Sequence, residues 1–424
     1  MKTVRRGRRF FTGSVLATVF LAGLLAGQMI GSGESGIGAS SSLVDQPAFA
    51  TFQQAWDLVH EHYVLPEELD ADEMILGAAA GMMEAIGDTR HSTFLDPQDA
   101  KSFRSSLRGE LIGIGVHLRF DGDVPEVIKA ISGSPAEEAG IQAGDLIYSV
   151  DGVETDRMTD SSFGNALRGK TGSEVTLDIG RPSDQSLYSV TIARAVIRID
   201  PVEIAFLPEN RMLIRLNEFS SGAGEALRES LIEANSRGLA GLVFDLRGNP
   251  GGFVSEAIAV ASEFMDEGAV IYLHQERGGE PRPVTTVGRD GKGFEFPLVV
   301  LIDGDSASAA EIIAASLRDN DRAAVVGMRT FGTGTVISSF DLNDGSVAAI
   351  GTALWLTPGG DMVRGFGVEP TVEEALAPGV APIVFEDGDR LTISRIELAE
   401  DAQLIRALEL LALSNSEVFE PSAA

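Results

Sequence analysis

A serine between a buried strand and a helix is the most reactive feature of the sequence. FPLVVLID is typical of a buried strand, a turn of small residues follows, and the pattern predicts a helix from Ala307 to Leu317. Because helix N-terminal N–H groups favour developing negative charge, Ser308 would be a well-placed nucleophile there. Alternatively, Ser308 or Ser306 only caps the helix, with Glu311 completing a capping box.

A glycine-rich turn could serve the same chemistry. FDLRGNPGG, which ends at Gly252, follows another apolar run that is typical of a strand. Glycines let a backbone approach a substrate carbonyl closely, so an amide of Gly251 or Gly252, paired with the N–H of Ala309, would hold an oxyanion. The alternative is a tight strand-to-helix turn, which glycine also suits.

Three sequence patterns indicate the structural elements that must position these residues. After Asp200, strands and helices alternate, which predicts an α/β core with parallel pairing. Between residues 107 and 198, short β-rich runs are punctuated by glycine, and SPAEEAGIQAGDLIYSVDG resembles part of a PDZ domain. Before them, apolar residues recur at helical spacing, which predicts a helical amino-terminal region.

Composition and the amino terminus narrow the function classes. The 424-residue chain has a formal net charge of -30, which disfavours nucleic acid as a partner, and it has no cysteine, which excludes thiol catalysis and disulfides. No metal site or cofactor motif is evident.

The uncharged run from Phe10 to Ile30 follows an arginine cluster, and this predicts a transmembrane anchor with the body on the extracytoplasmic side. A cleaved signal peptide is the alternative.

The serine motif SASAAEI, the NPGG turn and the order of the domains together resemble the carboxyl-terminal processing peptidases of family S41, over roughly residues 50 to 413. The resemblance implies a crotonase/ClpP-like α/β core with an inserted PDZ domain, Ser308 as nucleophile, and Gly251, Gly252 and Ala309 as the oxyanion-hole backbone. The PDZ domain would bind a peptide carboxyl terminus at LIGIG, which comprises Leu111, Ile112, Gly113, Ile114 and Gly115. The predicted division is a cytoplasmic basic segment (1–9), the anchor (10–30), a flexible linker (31–48), the helical region (49–106), the PDZ domain (107–198), the core (199–382) and a carboxyl-terminal segment with a final helix (383–424).

Two positions depart from the family pattern. A lysine general base and the glutamine that orients it are replaced here by Thr333 and Ile337, in TFGTGTVI. A serine hydroxyl is a weak nucleophile until a base takes its proton, and threonine cannot do so near neutral pH. The candidate substitute bases are His91, His274 and Lys292.

The leading hypothesis is therefore a serine-type endopeptidase. It would bind unfolded or carboxyl-terminal protein tails at the PDZ domain and cleave upstream peptide bonds outside the membrane, without metal or nucleotide. The alternative is a catalytically impaired relative that acts as a peptide-binding adaptor or regulator. A carbonyl-stabilising enzyme of crotonase-like architecture is a third hypothesis, which the lack of a cofactor motif disfavours.

Overall fold

The computed structural model describes residues 43–88, 92–119, 124–158, 160–288 and 294–417. The predicted basic segment and anchor, and all but the last few residues of the predicted linker, lie outside these ranges. Within them, no helix combines the length and apolar character needed to cross a bilayer.

The amino-terminal region is mainly helical and also contributes one strand to the core. Asp70 and Asp96 cap two of its helices, because each carboxylate accepts two backbone N–H groups of the first turn. The elements are α1 (Pro47–His62), α2 (Ala71–Glu84), β1 (Thr93–Leu95) and α3 (Pro97–Leu107).

The next region is a separate β module with its own apolar core, which includes Val127, Ile147, Phe163 and Leu177. Its elements are β2 (Glu110–Gly113), β3 (Val116–Arg119), β4 (Glu126–Ala130), α4 (Pro135–Glu138), β5 (Leu146–Val150), β6 (Val153–Glu154), α5 (Asp160–Leu167), β7 (Glu174–Arg181), β8 (Ser186–Ala193) and β9 (Ala195–Arg198). The main sheet has the order β3-β4-β5-β7-β8, with β6 on β5, while β2 pairs with β9. Strand β3 is therefore an edge strand in the described structure.

The rest of the chain forms the α/β core. Its elements are β10 (Val202–Leu207), β11 (Arg211–Leu216), α6 (Ala223–Ser236), β12 (Gly241–Asp245), α7 (Val254–Phe264), β13 (Val270–Glu276), β14 (Arg282–Thr285), β15 (Leu298–Ile302), α8 (Ala309–Asp319), β16 (Ala324–Gly327), β17 (Thr335–Asp341), β18 (Val347–Leu356), β19 (Val372–Glu373), β20 (Asp389–Arg390), α9 (Ile393–Leu398) and α10 (Ala402–Glu417).

A seven-stranded sheet of order β19-β16-β15-β12-β11-β10-β20 organises this core, and all its neighbours are parallel except the β10–β11 hairpin. Helices cover both faces: Phe244 and Val300 pack with α6, α7 and α8, whereas Val243 and Leu301 pack with α9 and α10. Coverage of both faces explains why β12 and β15 are apolar without alternation. The parallel α/β prediction is confirmed.

A second sheet has the order β1-β18-β13-β14, with β17 also on β18. Strand β1 of the amino-terminal region pairs with β18 through Thr93 and Ala349. At the other end of the chain, β20 and α10 complete the seven-stranded sheet and one of its apolar layers. Strand β1, strand β20 and helix α10 are thus integral to the core, although they lie far from it in the sequence.

Candidate active site

Ser308 lies immediately before helix α8, in a backbone conformation that side chains rarely adopt. Its φ is 54° and its ψ is −115°, and only 3% of the residue is exposed. Such a conformation costs about 1–3 kcal/mol and persists only where the surroundings enforce it. The neighbouring Ala307 N–H donates to the carbonyl of Asn249 at 2.9 Å, and Ser306 Oγ donates to the carbonyl of Leu246 at 2.8 Å. The strand-to-helix turn is thereby fastened to the NPGG turn.

The NPGG turn packs directly against Ser308. Gly251 has φ 100°, and a Cβ built there would lie 2.7 Å from the Ser308 Cβ and 3.0 Å from the Ala309 nitrogen. Gly252 has φ 143°, and its Cβ would lie 2.4 Å from the Phe219 carbonyl oxygen. Only glycine fits at either position.

The side chain of Asn249 determines which amides are available to an oxyanion. Asn249 Oδ1 accepts the Gly251 N–H at 2.8 Å, and Nδ2 donates to the Leu216 carbonyl at 2.6 Å. Among the described residues, the N–H groups of Gly252 and Ala309 have no hydrogen-bond acceptor. In this arrangement the Gly252 and Ala309 amides are free to bind a ligand, and the Gly251 amide is not. The role of Asn249 was not predicted from the sequence, although an asparagine two residues before a glycine is a common turn signal.

Thr333 lies where the resemblance places a lysine. Thr333 Oγ1 accepts the Ser308 N–H at 3.2 Å, and the residue is 1% exposed. Ile337 is fully buried, packs with Ala349, and offers no polar atom that could orient a base. Within the described part of the chain, the Ser308 hydroxyl makes no hydrogen bond to a histidine, lysine or carboxylate side chain.

Glu311 joins the start of α8 to the TFGTG loop. Its Oε2 accepts the N–H groups of Ser308 at 2.8 Å and Thr333 at 2.9 Å; its Oε1 accepts the Gly332 N–H at 2.7 Å and the Thr330 hydroxyl at 2.6 Å. Burial raises the pKa of this carboxyl, and the four hydrogen bonds oppose that effect. With both oxygens occupied, Glu311 holds the loop in place and does not face the Ser308 hydroxyl as a base.

Of the three candidate substitute bases, only His274 lies among the described residues. His91 and Lys292 lie outside the described residues. His274 is on β13, opposite Trp355 of β18, is partly buried, and has no hydrogen bond to Ser308. Ser92, the residue after His91, accepts the Gly351 N–H through its Oγ at 2.9 Å.

Beneath the NPGG turn, a buried ionic network links the site to the carboxyl-terminal segment. Arg247 Nε donates to Asp245 at 2.9 Å, and its Nη1 donates to Asp401 at 2.8 Å and Gln403 at 3.0 Å. Asp401 also accepts the Leu404 N–H at the start of α10. The charges of Arg247 and both aspartates are thus paired and hydrogen-bonded, as burial requires.

The LIGIG segment connects β2 to the edge strand β3 of the β module. Leu111, Ile112 and Gly113 belong to β2 and pair with β9, whereas Ile114 is buried in the module core. Gly115 has φ 83°, and a Cβ there would lie 2.4 Å from the Ser134 Cβ. The segment leads directly into the unpaired edge of β3, which is the geometry that strand addition requires.

A cleft lies between this module and the core. It is lined by residues of β3, β4, β10 and the loop after β11, and it reaches Pro250 of the NPGG turn. The described residues contain no cluster of side chains that could hold a metal ion. The sequence analysis did not identify this cleft, because its two walls come from segments that are distant in the chain.

The fold and the site together define an α/β serine-peptidase scaffold that carries a PDZ domain. The family model "Peptidase family S41" matches residues 212–374, and a PDZ domain model matches residues 126–181. The chain belongs to peptidase family S41.

Named relatives agree with this assignment. The chain is 31% identical to "Carboxy-terminal processing protease CtpA" of Bacillus subtilis, with 89% of this chain and 79% of the relative covered. It is 34% identical to "Carboxyl-terminal-processing protease" of a Picosynechococcus species, with 75% and 77% covered. Among solved structures, it is similar to a photosystem II D1 C-terminal processing protease, with 28% identity, a TM-score of 0.50, and 80% and 95% of the chains covered.

Proposed function

We propose that this protein is a serine-type endopeptidase of the extracytoplasmic space, anchored in the membrane by its amino-terminal segment. It binds the carboxyl-terminal tails of unfolded proteins at the PDZ domain and cleaves upstream peptide bonds with Ser308 as nucleophile. The related proteins are named as carboxyl-terminal processing proteases, which supports this substrate class. The observation that carries the proposal is the strained backbone of Ser308, held in contact with a turn in which only glycine fits.

The reaction proceeds by acyl transfer. Ser308 Oγ attacks the peptide carbonyl carbon, the Gly252 and Ala309 N–H groups stabilise the oxyanion, and the C–N bond breaks to leave an acyl-enzyme that water hydrolyses. The hydroxyl proton must pass to a base and then to the leaving amine. Thr333 cannot accept it, so this step limits turnover unless His91, His274 or Lys292 substitutes.

A peptide-binding adaptor is the second candidate. Specific observations favour it: Thr333 and Ile337 fill the positions of the base and its orienting partner, and Glu311 is fully occupied by other donors. In that case the PDZ edge and the cleft would still hold peptides, and the strained serine would have no turnover.

One comparison, between the full-length protein and its Ser308→Ala variant, distinguishes the peptidase from the adaptor. We expect the parent to cleave an unfolded protein slowly and to react with a fluorophosphonate probe, and the variant to do neither. Equal cleavage by both proteins would reject Ser308 as nucleophile. Peptide binding without cleavage or labelling by the parent would favour the adaptor.

A further inference from the structure

The cleft between the PDZ domain and the core extends from the edge strand β3 to the NPGG turn that packs against Ser308. One wall carries His117 of the edge strand β3 and Lys129 of β4; the other carries Glu218, from the loop after β11, and Pro250 of the NPGG turn. Its volume of about 160 Å³ resembles that of cavities that admit a benzene ring, so it can accept one side chain.

The cleft is acidic. Its only cations in the described structure are Lys129 and Arg198, and Lys129 Nζ donates to Glu203 at 2.8 Å. Burial and the charge of Lys129 lower the pKa of His117 to about 4, so this imidazole is neutral near pH 7. Five carboxyl side chains line the same space: Asp200, Glu203, Glu218, Glu386 and Asp387.

Glu218 lines this cleft and carries an unused hydrogen-bond acceptor. Its Oε1 is buried and has no hydrogen-bond partner among the described residues. Burial raises the pKa of Glu218 to about 7, so the side chain is mostly ionised at pH 8. A buried polar atom without a partner costs about 1–3 kcal/mol and calls for an explanation, which a ligand that supplies the missing donor would provide.

We propose that Glu218 is a specificity determinant, which accepts a lysine or arginine side chain of the peptide that runs from the β3 edge towards Ser308. This inference rests on the proposed peptide-binding function. A cationic side chain supplies the missing donor, and the excess of carboxylates around the cleft favours it over a neutral or acidic one. The exposed carboxylates at the rim contribute less, because water and salt screen them.

The test measures binding without turnover, using full-length protein with Ser308→Ala at pH 8. Fluorescent peptides of about twelve otherwise neutral residues carry one lysine, norleucine or glutamate, moved stepwise along the chain. We expect lysine at one or two adjacent positions to bind about tenfold or more tightly than norleucine, and Glu218→Gln to abolish that preference. Glu218→Lys should reverse it in favour of glutamate.

Glu386→Gln is the matched control, since it removes one negative charge from an exposed position at the rim of the same cleft. It should keep the lysine preference. Equal effects of Glu386→Gln and Glu218→Gln, or a preference independent of lysine position, would overturn the inference. Absence of any peptide binding would overturn both this inference and the proposed function. Lysine preference without cleavage by the parent would reject only the peptidase, whereas cleavage without preference would reject only the role of Glu218.

Discussion

Restoring a lysine at position 333 tests whether the missing base limits turnover. Thr333 Oγ1 lies 3.2 Å from the Ser308 nitrogen, so a lysine on the same backbone has enough chain length to bring its amine to the Ser308 hydroxyl. The site is 1% exposed, and burial lowers the pKa of an amine. The variant Thr333→Lys with Ile337→Gln therefore supplies a base and a polar partner to orient it.

The expected gain follows from the size of general base catalysis. A positioned base contributes about 10²- to 10⁴-fold, which corresponds to about 3–5 kcal/mol of activation free energy. The double substitution should destabilise the fold, because both positions are buried: lysine adds volume at position 333, at a cost of about 1–3 kcal/mol, and glutamine buries a polar group at position 337. We therefore expect kcat/KM to rise at least a hundredfold while the melting temperature falls.

The assay compares cleavage of an unfolded protein by the parent, the lysine double variant and Thr333→Met with Ile337→Gln. Methionine is a long side chain without an amine, so it controls for the packing change. Activity of the lysine variant should increase as pH rises through the pKa of its amine. A folded lysine variant with less than a tenfold gain, or one matched by the methionine variant, would refute the reasoning.

Three other predictions concern the surroundings of the site. Gly251→Ala should reduce cleavage and fluorophosphonate labelling at least a hundredfold, because its Cβ would lie 2.7 Å from the Ser308 Cβ; unchanged labelling would contradict this. Because burial raises the pKa of Glu218 from 4.5 to about 7, the folded state is destabilised as the pH rises across that interval. Glu218→Gln cannot ionise and should not lose this stability. Urea unfolding at pH 5 and pH 8 should therefore show that the unfolding free energy of the variant, relative to wild type, increases by up to about 3 kcal/mol between the two pH values. Asp401→Asn should lower the unfolding free energy by about 3–5 kcal/mol, measured by urea denaturation, since it leaves Arg247 buried and under-compensated; a change below 1 kcal/mol would contradict the pairing.

Local patterns predicted the helices and buried strands well. Apolar spacing and flanking glycines or polar residues mark helices at Asp160–Leu167 and Ala223–Ser236 in the sequence, and both helices form over those residues. Helix α8 instead begins at Ala309, two residues later than predicted. The left-handed backbone of Ser308 breaks the helix there, and the local residue pattern does not reveal that conformation.

The contacts that complete the site could not be predicted in this way. Asn249 takes the Gly251 amide, and Glu311 reaches a loop about twenty residues further along the chain. Glu218 lines a cleft that the PDZ domain and the core form together, so its buried, unpaired oxygen could not be predicted from the sequence. Each contact depends on tertiary geometry between segments that are separate in sequence, whereas periodicity and turn composition report only neighbours.

The ionic network under the NPGG turn bears on the order in which the chain can fold. Arg247 and Asp401 are 154 positions apart, so a ribosome releases the turn and its neighbouring partner Asp245 long before it releases the second aspartate that pairs with Arg247. Nascent domains begin to fold from the amino terminus, and here the ionic network beneath the turn is complete only when the segment that carries Asp401 packs against the core. Loss of the segment that carries Asp401 and α10 would therefore leave Arg247 with one buried ionic partner fewer, directly beneath the turn that packs against Ser308.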